Sequence, residues 1–276
     1  MRKIQQKAAD IAAASPLFAC PVCGGELSVT ETSLICPDGH RFDLAKKGTV
    51  NFLNTPVATE YTEEMLAARR RVLQAGFFDP FLSAMAAQIT PTDRVLDIGC
   101  GEGTPTAKLT PANGLAVGFD ISAPAIKLAG ALDSPAVFCV ADLAHLPFMD
   151  DSFTAITDIF SPGAYKEFER VLRPGGHIYK IIPASGYLRE LRQGLYAGTA
   201  KATYDNSKVL THFLERYPNA TQQPISYDFT ADAALFADIV RMTPLSWQAP
   251  ADKREALLAN PPASIHVDVV LMSTTV

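Results

Sequence analysis

Two groups of residues in this 276-residue chain have the types and spacing to do chemistry. The first is Cys20-Pro-Val-Cys23-Gly-Gly, answered downstream by Cys36-Pro-Asp-Gly-His40. Knuckles spaced C-x2-C and C-x3-H can bring four donors to the corners of a tetrahedron around Zn²⁺. Gly24 and Gly25 let the chain turn tightly after the first pair and carry backbone amides toward the thiolates. A redox pair at Cys20 and Cys23 is the competing reading. It is expected beside a βαβ unit, which is absent here, and it leaves Cys36 and His40 without a role. With all four ligands supplied by protein, no coordination position stays open for catalysis, so the metal reads as a structural staple. Cys100 and Cys139 read as small buried side chains.

The second group is Arg94-Val-Leu-Asp97-Ile-Gly99-Cys-Gly101-Glu-Gly103, a hydrophobic strand running into a glycine-rich turn. A helix over 104–109 follows, then a strand over 115–119 that ends in Asp120. Glycines let the backbone approach a ligand closely, and an acid at a strand tip can accept both hydroxyls of a ribose. The spacing is G-x-G-x-G preceded by Asp97, not G-x-G-x-x-G before a helix aimed at pyrophosphate. A carboxylate beside the turn repels the phosphates of a dinucleotide and suits a ligand carrying sulfonium and ammonium groups. Asp97 as a brace for the loop is the alternative.

The elements that must position these groups read as an α/β protein. Apolar runs at 136–140, 154–159 and 177–182 alternate with helical stretches, which implies a mostly parallel sheet with helices on both faces. Ser122 is placed to cap a helix with Pro124 in its first turn. Residues 30–35 read as one short strand between the two knuckles, and 226–229 and 265–273 as strands around a helix at 231–242. Helices are expected at 62–75, ended by Gly76, and from the Asp79-Pro80 start onward. Residues 54–60 read as a linker.

Composition sets bounds on function. Apolar residues make up 48% of the chain, enough for a real core, and no run is long and apolar enough for a membrane span. The net charge of −5 is uneven. Residues 1–89 hold nine bases and nine acids, residues 90–160 three and nine, and residues 161–276 twelve and eleven. The acidity therefore surrounds the glycine turn, where a cationic ligand would sit, and the flanks are free to carry local basic patches. Leu17-Phe18-Ala19-Cys20 could pass for a lipid-attachment site, but the preceding apolar stretch is short, alanine-rich and interrupted by Asp10. The expectation is a cytoplasmic protein with an amino-terminal extension.

The glycine turn, Asp120, Ala141-Asp142-Leu143, Leu146-Pro147-Phe148, Asp151-Ser152-Phe153 and Val171 to Tyr179 together resemble the class I S-adenosylmethionine-dependent methyltransferases across 91–276. That resemblance implies a Rossmann-like sheet. It assigns Asp97, Gly99, Gly101 and Gly103 to the methionine part of the cofactor, Asp120 with Ile121 to the ribose, and Asp142 with Leu143 to the adenine. With the zinc spacing, the stretch His40 to Leu53 containing Lys46-Lys47-Gly48, Arg69-Arg70-Arg71, and Met242-Thr243-Pro244, the chain resembles one family more closely. This is the RlmA group of bacterial 23S rRNA (guanine-N1)-methyltransferases, and the resemblance runs from about residue 18 to the end.

The resemblance implies a zinc-binding module at 18–55 after an extension at 1–17, a helical linker at 56–90 and the methyltransferase domain at 91–276. It implies methylation at N1 of a guanine in a domain II hairpin of 23S rRNA, with Cys20, Cys23, Cys36 and His40 as zinc ligands. Further cofactor contacts fall at Phe78, Pro105, Thr106 and Tyr187. Phe78, Thr104-Pro105 and Tyr187 stand where the enterobacterial pattern has Tyr, Tyr-Tyr and His, and Phe78 could equally be core packing for the helix pair. Asp158 and Glu167 are the candidate general bases, a solvated or structural carboxylate being the alternative for each. Phe160, Tyr165 and Tyr187 could stack on a base flipped from its loop.

Lys46, Lys47, Arg69, Arg70 and Arg71 are the expected RNA-backbone contacts. Three adjacent arginines on one helix cannot share a face, so at least one is expected to pair with Glu63 or Glu64. The family also implies a possible homodimer. A small-molecule methyltransferase and a catalytically inactive RNA-binding relative are the competing readings. The first predicts a closed apolar acceptor pocket, the second a blocked cofactor cleft.

Overall fold

Hydrophobic runs that alternate with amphipathic ones set the element order. The computed structural model describes residues 3–55 and 57–276. Met1 and Arg2 of the extension and Pro56 of the linker lie outside the described residues. In chain order the elements are α1 (Lys3–Ala14), β1 (Ser28–Thr30), β2 (Ser33–Ile35), β3 (Arg41–Asp43), β4 (Val50–Asn51), α2 (Glu63–Gln74), α3 (Asp79–Ala86), β5 (Arg94–Ile98), α4 (Thr104–Leu109), β6 (Leu115–Asp120) and α5 (Ala123–Ala129). They continue with β7 (Val137–Val140), β8 (Phe153–Ile159), α6 (Tyr165–Val171), β9 (Leu172–Pro183), α7 (Arg189–Tyr196), α8 (Ser207–Arg216), β10 (Thr221–Phe229), α9 (Ala233–Met242), α10 (Pro244–Trp247), α11 (Ala251–Ala259) and β11 (Ile265–Thr275). Among the described residues no helix is long and apolar enough to cross a membrane.

The chain forms two compact units. One comprises Met1–Glu63, Ala84–Tyr179 and Thr275–Val276, the other Glu64–Ser83 and Lys180–Thr274. In the first unit β5 pairs in parallel with β6 and β8, β6 with β7, and β7 with β4, while β9 lies beside β8. Counted from the glycine strand β5, the order is 3-2-1-4-5, the doubly wound arrangement whose connections reverse between the first and fourth strands. β7 and β8 are buried along their whole length, as expected for strands covered on both faces.

The metal-ligand segment is built into this same unit. β1, β2 and β3 form a small antiparallel sheet, and β4 extends the parallel sheet beside β7. Phe18 lies 5.5 Å from Phe52 and 5.4 Å from Phe148, so the segment's aromatic rings are continuous with those above β8. The single strand expected over 30–35 is instead a hairpin. Thr30 pairs with Ser33, and Glu31 turns the chain at a φ of 56°. Glu-Thr lacks the Asn-Gly or Asp-Gly signature that announces such a turn.

The amino-terminal helix is anchored. α1 buries Ile11 and Ala14, and its buried Lys7 ammonium donates to the carbonyls of Ser134 and Ala136. In the second unit β10 pairs antiparallel with β11 along its whole length. β10 begins five residues earlier than the sequence pattern suggests, because an edge strand tolerates Pro224 and exposed glutamines.

Candidate functional site

The metal centre is assembled by two tight turns. Gly24 and Gly39 take φ of 74° and 83°, and their amides donate back to the carbonyls of Cys20 and Cys36. The sulfurs of Cys20, Cys23 and Cys36 and a ring nitrogen of His40 all lie within 4.8 Å of one another. Cys23 Sγ is 3.6 Å from Cys36 Sγ, and Cys36 Sγ is 3.3 Å from His40 Nδ1. A tetrahedral Zn²⁺ with bonds of about 2.3 Å to sulfur and 2.0 Å to nitrogen requires edges of roughly 3.5–3.8 Å. The four donors fit that ion. Burial opposes the Cys36 thiolate, but hydrogen bonds from His40 and Cys23 outweigh it and hold the thiol down at about 7. Cys100 and Cys139 are buried and free, and burial pushes both thiols up.

The glycine turn lies at the carboxyl end of β5, beside the point where strand order reverses. Gly99, Gly101 and Gly103 take φ of 61°, 58° and 87°, a backbone that side-chain-bearing residues rarely adopt. Gly99 also packs closely on the next turn, since a Cβ there would lie 2.3 Å from Ser161 Oγ and 3.2 Å from Ser161 Cβ. The turn after β8 is thereby packed directly on the turn after β5. Phe160 at that corner holds φ of 60°, a conformation rare for a non-glycine residue and common at ligand sites.

Asp120 at the tip of β6 is clamped at both oxygens. Gly101 N–H donates to Oδ2 at 2.9 Å, and Ser122 N–H to Oδ1 at 2.8 Å. Ser122 caps α5 as expected, accepting from Ala125 N–H. Ile121, beside the clamped carboxylate, is an exposed apolar side chain. Asp142, beyond β7, accepts from Ala144 N–H at 2.9 Å and is half-buried, as is Leu143.

Asp97 shows the loop-bracing contacts that were the alternative to a ligand role. It is buried, and its oxygens accept from Thr106 Oγ1 at 2.5 Å and Thr157 Oγ1 at 2.8 Å, so it braces β5 against α4 and β8. Pro105 and Thr106 are buried at the start of α4. The site thus offers glycine backbone, a fixed carboxylate at a strand tip, and half-buried acid and apolar positions beyond it. That donor set suits an adenosine carrying a cationic tail.

The two carboxylates expected as bases each hold protein hydrogen bonds. Asp158 is fully buried and accepts from Ser161 N–H at 3.1 Å, and burial together with this carboxylate raises the Tyr165 phenol to about 12. Tyr165 is itself buried against Phe168, so it offers no stacking face. Glu167 accepts from Arg170 at 2.7 Å and from Leu146 N–H, and is held below its ordinary range by the arginine.

In the second unit, Phe78 is a core residue. Its ring lies 4.7 Å from that of Phe81, with the Arg69 guanidinium 5.3 Å from its centroid. Tyr187 is half-buried, and burial raises its phenol. Arg71 forms the expected internal ion pair, but with Asp238, at 2.6 and 2.7 Å, not with Glu63 or Glu64. Glu63 is taken by Lys127 and Glu64 by Arg241. The partner is 167 residues away in sequence, beyond any local spacing rule. Arg70 is half-buried, and Lys46 and Lys47 are exposed on the turn before β4. The residues that sequence reasoning missed as clamps are Ser161, which holds Asp158 through its backbone amide, and Thr157, which holds Asp97 through its hydroxyl; neither carries a motif of its own.

Two family models match. One, described as "RlmA, N-terminal", covers 18–59, and the other, "Methyltransferase domain", covers 96–179. A Bacillus subtilis protein, YxjB, named as a 23S rRNA (guanine-N1)-methyltransferase, is 36% identical over 270 residues, spanning 93% of this chain and 96% of its own. The chain belongs to this family of RlmA-type methyltransferases. The 23S rRNA (guanine(748)-N1)-methyltransferase of Streptomyces fradiae is 29% identical over the same share of the chain. A demethylmenaquinone methyltransferase from Roseiflexus sp. is 40% identical, but over only 31% of the chain. Likeness to the small-molecule enzyme is thus confined to one stretch, whereas the family relatives run through the metal centre as well.

Proposed function

We propose that the protein transfers a methyl group to N1 of a guanine in a domain II hairpin of 23S rRNA, and that it works in the cytoplasm. The observation that carries this reading is the joining, in one chain matched over 93% of its length, of a four-donor zinc centre to a glycine turn at the reversal point of a parallel sheet. S-adenosylmethionine, when bound, supplies an electrophilic methyl on sulfur. The chain would hold it through the glycine turn's backbone, through Asp120 with Ile121 at the ribose, and through Asp142 and Leu143 at the adenine. The acidic surroundings of residues 90–160 favour its positive charge.

Guanine N1 carries a proton at neutral pH, so that proton must leave as the N1–carbon bond forms. Positioning supplies much of the rate. Asp158 acts on the acceptor through the Phe160-Ser161 turn, which it holds by the Ser161 amide. Lys46, Lys47 and Arg70 serve the RNA backbone, and a homodimer, which sedimentation would detect, is compatible with this role. The test incubates the protein with methyl-labelled cofactor and unmodified 23S rRNA, followed by primer extension. A new stop in domain II is expected, because N1 methylation blocks pairing. Label on a small metabolite and none on RNA would contradict the reading.

A further inference from the structure

The second unit carries a cluster of cations and tyrosines that neither the metal centre nor the glycine turn uses. α7 buries Leu191, Leu195 and Tyr196, and Arg192 lies half-buried on the flank of that face. Its guanidinium carbon sits 4.7 Å from the centroid of the Tyr204 ring. Its Nε–H donates a long bond, 3.4 Å, to the Tyr187 carbonyl. Lys201 places its ammonium 5.5 Å from the centroid of Tyr196, whose hydroxyl is fixed by the Leu245 carbonyl at 2.7 Å.

Neither cation has a carboxylate partner among the described residues. The nearby acids are committed elsewhere: Glu190 to Arg189 and to His266 N–H, and Asp205 to the amide and hydroxyl of Ser207. Burial weighs against the charged form of Arg192, which is held below its ordinary range. A half-desolvated guanidinium is normally paired, because an uncompensated charge is costly. Stacking on Tyr204 engages the face of the group and leaves its edge. With Nε–H spent on Tyr187, about four of the five N–H groups of the fork have no acceptor among the described residues. The two rings are each covered by a cation, so the cluster is built to take an anion rather than to stack a base. Arg192 also senses the Tyr196 ring that Lys201 covers, and a planar fork with a second, point-like cation on that neighbouring ring matches the paired oxygens of a phosphate.

We propose that Arg192 braced on Tyr204, with Lys201 braced on Tyr196, is a phosphodiester-binding platform that positions the acceptor RNA strand. This rests on the reading of RNA as the methyl acceptor. The platform contributes register and affinity and no base specificity.

The test uses the full-length protein and a fluorescein-labelled RNA hairpin from domain II, with binding followed by anisotropy from about 50 to 200 mM KCl. Arg192→Ala is expected to weaken binding several-fold and to flatten the slope of log affinity against log salt by about 0.7–0.9 per lost phosphate. Cofactor affinity by calorimetry should not change. Arg192→Lys keeps the charge and should restore the slope but not the full affinity, because it lacks the fork. Tyr204→Ala removes the brace, leaves the charge, and serves as the second variant if Arg192→Ala does not fold by circular dichroism. It should weaken RNA binding with the slope retained.

An unchanged slope and affinity in Arg192→Ala would overturn the platform while leaving the RNA reading intact. So would loss of cofactor binding alone, which would assign the guanidinium to the cofactor's carboxylate. Inorganic phosphate displacing the RNA from the wild type but not from Arg192→Ala, at constant ionic strength and sub-millimolar concentration, would make free phosphate the occupant and overturn the strand assignment. If the wild type itself binds no hairpin at any salt, the RNA reading fails first and the platform with it.

Discussion

Gly99→Ala tests whether the packing of two turns builds the cofactor site. Gly99 has φ of 61°, and an added Cβ would lie 2.3 Å from Ser161 Oγ and 3.2 Å from Ser161 Cβ. The left-handed backbone alone costs an alanine about 1–2 kcal/mol. At about 2–4 °C per kcal/mol for a domain of this size, the melting temperature should fall by about 2–8 °C. The steric part adds to this, because Ser161 must move and its amide is the group that holds Asp158. The double variant Gly99→Ala/Ser161→Ala removes the hydroxyl and leaves the longer contact, so it should recover the steric part and keep the backbone part. Thermal melts of the four proteins form a double-variant cycle, with cofactor affinity read by calorimetry alongside. The single variant should also bind cofactor at least tenfold more weakly. A Gly99→Ala protein with wild-type melting and wild-type cofactor affinity would refute the reasoning, and so would strict additivity in the cycle.

Three further expectations concern other parts of the molecule. Asp120→Ala leaves the amides of Gly101 and Ser122 without their acceptor, each bond being worth about 1 kcal/mol. Calorimetry should show roughly 10- to 100-fold weaker cofactor binding, with metal content unchanged. Chelation or Cys36→Ser should abolish binding of one zinc per chain, measured by atomic absorption. It should also expose the Phe18–Phe52–Phe148 cluster to proteolysis before the rest of the chain is cut. Hydrogen bonding from Arg71, followed by neighbouring positive charge, holds the Asp238 carboxyl below its ordinary value of 3.8. A lowered folded value favours the folded state fully above the unfolded value and loses that contribution as pH falls through the folded value. Urea midpoints should therefore drop as pH falls below the ordinary carboxyl value of 3.8, and Asp238→Asn should flatten that drop. Since Arg71 is half-exposed, the variant should cost about 1–2 kcal/mol at pH 7, less than a fully buried pair.

Much of the site was legible because its residues act through local spacing. The two knuckles give all four metal donors, and the glycine turn with Asp120 lies where strand order reverses, since strand, turn and strand tip are consecutive in sequence. Asp97 shows the limit of this reading. A carboxylate before a glycine turn serves a ligand and a brace equally well, and only the hydroxyls of Thr106 and Thr157, the second of them from another strand, make it a brace here. Asp158 and Glu167 looked like bases because one is an acid near a strand end and the other an acid on the helix that follows. Burial under the Ser161 amide and pairing with Arg170 are tertiary facts that no spacing carries. Arg71 failed for the same reason, its partner lying in α9. The hairpin at Glu31 was missed because its turn lacks the residues that favour positive φ.

The central claim is transfer of a methyl group to one ring nitrogen of one base. The most direct measurement digests 23S rRNA to nucleosides after incubation with protein and methyl-labelled cofactor, then separates them by chromatography with mass detection. The account predicts label in 1-methylguanosine at no more than one residue per rRNA, and much less at sub-saturating cofactor when Asp120 is replaced by alanine. Label in a different methylated nucleoside, or rRNA that stays unlabelled while the protein binds both cofactor and hairpin, would contradict it.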